Sequence, residues 1–221
     1  ESARQVSALC TAHGAFFRSL SPVQKPVALL YSETARRYQF LLNKSSDPWR
    51  TGKFMTKVWP VLRTSHIPIE VVGVKQVLTG GLDRYAALLL PNVEYATEEE
   101  VAALRAYAAK KPVFAQSFPN CGIPLPGAKD LNMEDREAVR AALRQAAGEP
   151  PVDLTSPDVF YELLEKDKLR CLCVINPTDS VVETTATIRF PVSTATDYFT
   201  NTTLPLVVQN GAAVLSLSIP A

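Results

Sequence analysis

The chain has 221 residues, 47% of them hydrophobic and 20% charged, enough for one large domain or two small ones. Twenty-three basic residues against 22 acidic leave a formal charge of +1, so no global field draws the chain to nucleic acid or to an anionic membrane. No apolar run approaches the roughly 20 residues of a membrane helix, and the composition suits a soluble protein, with the cytoplasm the favoured compartment. The opening at Glu1, with neither an initiator Met nor a basic-then-apolar leader, is expected of a chain trimmed upstream or of a piece of a longer one.

Residues 1 to about 20 read as one amphipathic helix, because Val6, Leu9, Cys10, His13, Phe16, Phe17 and Leu20 recur at three- and four-residue steps. Pro26–Tyr31 is a short, continuously apolar run, the pattern of a strand buried on both faces. Helical stretches follow at 33–42 and 53–64, the second carrying Pro60 and so expected to kink there or begin a new turn. Ile67–Val72, Tyr85–Pro91 and Lys111–Ser117 read as further buried strands. Between the last two, Thr97-Glu-Glu-Glu100 has the spacing of a capping box at a helix start. Alternating strands and helices predict a parallel sheet covered on both faces, here over residues 23–167 with 1–22 as a connector helix. Residues 118–131 read as a Pro- and Gly-rich loop, Asn132 as the cap of a helix to about Ala147, and Ser156-Pro157 as the opening of another.

After residue 168 the period changes to two. Leu169–Asn176 and Val181–Phe190 read as strands, and Leu204–Gln209 and Ala212–Ile219 flank Asn210-Gly211, a strong hairpin signal. Residues 168–221 are therefore expected to form a small antiparallel all-β domain.

An open α/β sheet binds ligands in the loops after the carboxyl ends of its strands. Here these offer Ser32, Glu33, Asn92, Glu94 and Ser117. No G-x-G-x-x-G or G-x-x-x-x-G-K-[ST] is present, so no phosphate cradle is written and no cofactor is expected. Ser32 or Thr34 reads most simply as a helix cap. Cys121, in the loop after the fourth strand, has no histidine following it to act as a base, which argues against a nucleophile. Cys171 and Cys173 fall on one face of a strand, which suits burial. They could be half of a metal site, but the chain holds only two histidines and no second cysteine pair. Trp49 and Trp59 suit either core packing or the stacking of a sugar face.

The order of these pieces resembles the trimerisation domain and following β-domain of β-galactosidases of glycoside hydrolase family 42 and related glycosidases. The resemblance lies in the leading helix, Pro26–Tyr31, Ile67–Val72 and Leu82-Asp-Arg-Tyr-Ala-Ala-Leu-Leu-Leu-Pro-Asn92. Thr97–Tyr107, Val174–Glu183 and Thr196–Asn201 extend it. Where the family usually carries Gly-Gly before the fourth strand, this chain has Lys110-Lys111. The resemblance implies a flavodoxin-like, class I glutamine-amidotransferase-like domain lacking the amidotransferase nucleophile. It further implies a role in oligomer assembly, as a trimer, within an enzyme of carbohydrate metabolism. An upstream (β/α)8 barrel, in the same polypeptide in that family's pattern, would supply both catalytic glutamates, so no catalytic, metal or cofactor residue is carried onto this chain. Two rival expectations are a free-standing small-ligand-binding protein and a Cys121-dependent amidotransferase-like hydrolase.

Overall fold

The computed structural model describes residues 2–42, 50–116 and 125–220. Its first part comprises α1 (Ser2–Arg18), β1 (Ser21–Pro22), β2 (Val27–Tyr31), α2 (Glu33–Leu42), α3 (Arg50–Thr64), β3 (Ile69–Gly73), α4 (Val74–Leu78), β4 (Ala87–Pro91), α5 (Glu98–Ala108), β5 (Val113–Gln116), β6 (Ala128–Asp130) and α6 (Arg136–Ala147). Five strands form one parallel sheet in the order β3-β2-β4-β5-β6. The chain thus starts in the middle of the sheet, runs to one edge, then returns past β2 to build the other side.

The alternation of side chains along each strand assigns the helices to faces. Val27, Leu29, Ile69, Ala87, Leu89 and Phe114 pack under Val58 and Leu62 of α3 and Val139 and Leu143 of α6. The intervening residues Ala28, Leu30, Val72, Leu88 and Leu90 pack under Ala35 of α2, Val77 of α4, and Leu104 and Tyr107 of α5. Both faces of the central strands are dry, which is why their sequences are continuously apolar.

The second part contains β7 (Val152–Leu154), β8 (Phe160–Lys166), β9 (Leu169–Ile175), β10 (Val182–Ile188), β11 (Ala195–Thr196), β12 (Thr203–Leu204), β13 (Val207–Gln209) and β14 (Ala212–Ile219). One antiparallel sheet has the order β13-β14-β10-β7 and another β1-β8-β9, with β11–β12 a separate pair. Inward residues of the two larger sheets, among them Val152, Leu154, Tyr161, Leu163, Ala186, Ile188 and Leu215, share one core. Asn210 and Gly211 both hold positive φ, 51° and 80°, as the two central residues of a type I′ turn require.

Several expectations change. Ser156-Pro157 opens no helix: Tyr161 and Leu163 alternate inward at strand period, and the Ser156 hydroxyl accepts from the Asp158 amide instead. Antiparallel pairing therefore begins before residue 168. The β8–β9 hairpin turns at Asp167, φ 54°, and Ser21-Pro22, within the expected connector, pairs with β8. A fifth parallel strand, β6, lies in the stretch expected to be loop; at three residues, only partly buried, it has no apolar run to announce it. Helix α6 is capped by Asp135, whose carboxylate accepts from the Ala138 amide at 3.1 Å. Asn132 instead serves the Glu134 amide, one turn earlier. Cys171 and Cys173 share a strand face as expected, but it is Leu172 and Val174 that point into the core; the thiols sit half-buried on the reverse face.

Candidate functional site

Consecutive parallel strands leave β2 in opposite directions, toward β3 and toward β4, so the crevice beyond the carboxyl ends of β2 and β4 is the topological switch point. Ser32 follows β2 and Asn92 follows β4; both, and Glu94, are only 3% exposed. Three of the five expected residues, Ser32, Asn92 and Glu94, are thus buried just after the ends of β2 and β4. Glu33 is not among them: it points outward from the first turn of α2 and lies 4.0 Å from Arg37. Ser117 lies outside the described residues, as do Cys121 and Trp49.

The polar groups at the switch point are largely engaged with one another. The Ser32 hydroxyl accepts from the Ala35 amide at 3.0 Å, capping α2. Gln39 donates through Nε2 to Glu94 Oε2 at 2.8 Å, and Thr34 donates to Glu100 Oε1 at 2.5 Å. Glu100 also closes the capping box of α5 with Thr97. Asn92 adopts φ 48°, and its amide nitrogen Nδ2 is buried without a hydrogen-bond partner among the described residues. Gln39 was not singled out from sequence, although its spacing of four from Ala35 places it on the same buried helix face.

A second polar cluster joins the two parts of the molecule. Asp153 on β7 receives two hydrogen bonds from Arg140, at 2.7 and 2.8 Å, and one from Arg144 at 2.5 Å. Arg189 lies 3.7 Å away. Burial pushes the Asp153 carboxyl up, but His66, Arg140 and Arg144 outweigh it and bring it down to about 2. His66 is 2% exposed with φ 62°. Its Nε2 faces the Val159 carbonyl at 2.9 Å and must carry the proton there. Its Nδ1 stands 3.6 Å from Asp153, an ion pair only when the ring is charged. Nearby, Glu162 on β8 binds Lys25 at 2.9 Å and also Arg63. Burial raises that carboxyl, yet the two cations leave it below its ordinary range. Arg63 also lies over Phe160, 4.4 Å from the ring centroid, and near half-buried Trp59. Beside these groups is a cavity of about 50 Å³, room for a few water molecules. The cluster is a charged fastener between α3, α6 and the antiparallel sheets. Its members are far apart in sequence, and none was identified there.

Among the described residues no group of three or more His, Cys, Asp or Glu side chains is arranged to hold a metal ion. No described helix is long and apolar enough to cross a membrane. No protein-family model matches the chain, and no curated protein matches it. Solved structures do. The GH42 exo-carrageenase of Bacteroides ovatus superposes with a TM-score of 0.57 at 16% identity, over 88% of this chain and 29% of its own. The GH42 β-galactosidase Gan42B gives 0.62 at 11% identity, over 90% and 40%. The β-galactosidase of Bacillus circulans sp. alkalophilus gives 0.59 at 13% identity, over 87% and 41%. Nearly the whole of this chain therefore has the fold of one portion of these glycoside hydrolases, spanning 29–41% of their length.

Proposed function

We propose that this chain is the non-catalytic assembly portion of a larger, β-galactosidase-like glycoside hydrolase of carbohydrate metabolism. In this reading residues 23–167 are an amidotransferase-like, trimerisation-type domain and the antiparallel part is the accompanying β-domain. The acid and nucleophile carboxylates that cleave the glycosidic bond belong to a (β/α)8 barrel elsewhere in the polypeptide. The observation that carries the reading is the correspondence of 87–90% of this chain with only 29–41% of each hydrolase. The engagement of Glu94 by Gln39 and of Glu100 by Thr34 supports it, since carboxylates tied to neighbours inside the fold are poorly placed to reach a substrate.

The test is the full chain incubated with nitrophenyl glycosides, alongside its mass in solution by light scattering. No turnover and a trimer are expected. Turnover abolished by one substitution in this chain, Glu94→Gln for instance, would overturn the non-catalytic role, and a monomer at all concentrations would overturn the assembly role.

A second reading, small-ligand binding at the switch point, is favoured by one observation, the buried Asn92 amide without a partner among the described residues. A thermal-shift screen with sugars, nucleotides and flavins tests it; a stabilising ligand whose effect disappears in Asn92→Ala would support it, and a blank screen would remove it.

A further inference from the structure

The tip of the β11–β12 hairpin, residues 197–202, carries two aromatic side chains that the core does not use. Tyr198 is 40% exposed and Phe199 63%. Rings left in water gain nothing from burial, yet the backbone beneath these two is fixed. Asp197 Oδ1 accepts from the Phe199 amide at 2.8 Å and from the Thr200 amide at 3.2 Å. The Asp197 amide donates to the Thr202 carbonyl at 2.9 Å, the hydroxyls of Thr200 and Thr202 lie 2.7 Å apart, and Asn201 turns the chain with φ 55°. Helix α1 fixes the rings from below. Phe16 stacks on Tyr198, 4.3 Å between centroids and 13° between planes, so one face of Tyr198 is covered and its exposure is on the other. His13 stands edge-on to both Tyr198 and Phe199, and its Nδ1 is 3.2 Å from the Tyr198 hydroxyl.

Area and polarity decide what such a platform takes. An aromatic side chain offers about 150–250 Å², so at these exposures the two rings together present roughly 200 Å². A stable protein interface needs about 800 Å² from each partner, whereas the face of one or two sugar rings is matched. The rim is neutral. Of residues 197–202 only Asp197 is charged, and its Oδ1 is held by two amides; Thr200, Asn201 and Thr202 are exposed. Hydroxyl and amide groups beside an aromatic face complement a pyranose. Its C–H groups carry partial positive charge toward the negative ring face, and its hydroxyls exchange hydrogen bonds with the rim. No Lys or Arg stands on the tip, which favours a neutral sugar over a sulfated one.

We propose that Tyr198 and Phe199 form a surface platform for a neutral oligosaccharide, which stacks on the exposed ring faces and hydrogen-bonds to the Thr200, Asn201 and Thr202 rim. The choice of a galactose-containing chain as ligand rests on the glycoside-hydrolase reading above; the platform itself does not. Its role would be to hold a saccharide chain beside the hydrolase without touching the bond that is cleaved.

The test titrates β-1,4-galactotetraose into the full chain, followed by calorimetry and by saturation-transfer NMR. Millimolar binding is expected, with transfer to the C–H protons of the sugar. Phe199 is more than half exposed, so Phe199→Ala leaves the core intact; it should weaken binding about tenfold, the worth of one stacking contact. Phe199→Tyr keeps the ring and should bind as the parent chain does. Undiminished binding by Phe199→Ala, or no binding by the parent chain at tens of millimolar ligand, would overturn the proposal. So would self-association in light scattering that Phe199→Ala abolishes, which would make the patch a contact between copies. None of these results touches the non-catalytic reading, which stands or falls on turnover of nitrophenyl glycosides, and such turnover would leave the platform standing.

Discussion

Asp153 is the residue on which the joint between the two parts depends. One carboxylate holds Arg140 and Arg144 of α6 and faces Arg189, which follows β10, so removing its charge leaves cations crowded without an acceptor. Asp153→Asn is expected to cost about 2–4 kcal/mol at pH 7, read by urea denaturation. The pH dependence has a definite sign. The folded carboxyl is depressed from 3.8 to about 2, so its contribution is complete above about pH 4 and is lost as the pH falls through about 2; at one pKa unit per 1.36 kcal/mol it amounts to about 2 kcal/mol. Wild-type stability should therefore fall between about pH 4 and pH 2 by that much more than the stability of Asp153→Asn. Parallel curves would show that the cluster contributes nothing. None of this was legible in the sequence, because an acid at 153 and bases at 140, 144 and 189 are ordinary surface residues until β7 pairs with β10.

At the scale of elements, local signals were legible where a backbone requirement is written in one or two residues. The capping box at Thr97 forms as its spacing demands, with the Thr97 hydroxyl accepting from the Glu100 amide and Glu100 Oε2 accepting from the Thr97 amide. Thr97→Ala should cost about 1 kcal/mol by thermal or urea denaturation; no change would mean the cap is redundant. The Asn210-Gly211 turn is equally direct. A Cβ on Gly211 meets nothing within 4 Å, yet its φ is 80°, so Gly211→Ala isolates backbone strain from crowding. A loss of about 1 kcal/mol is expected, and a neutral result would count against the left-handed turn. Elements without such signals were misread. Strand β6 owes its place to the sheet edge beside β5, and β8 was mistaken for helix because a Ser-Pro pair announces a helix start even where the following residues alternate. That Ser32, Asn92 and Glu94 follow the ends of β2 and β4 was legible with the strands themselves. Gln39 was missed because a polar residue on a helix looks exposed until the opposite wall is known.

At the scale of the molecule, the chain is a parallel sheet between two layers of helices, fastened by buried charges to antiparallel sheets that reach back to Ser21-Pro22. Its fold matches a portion that spans only 29–41% of the length of each of the hydrolases it resembles. The central claim is that these residues serve a larger enzyme without performing its chemistry. The most direct test is the size of the native polypeptide that contains them, by immunoblot with an antibody raised to this chain. A band well above 24.2 kDa, large enough to add a barrel of roughly 250 residues, is the predicted result. A single band at 24.2 kDa would contradict the account and make the switch point the first place to look for a function.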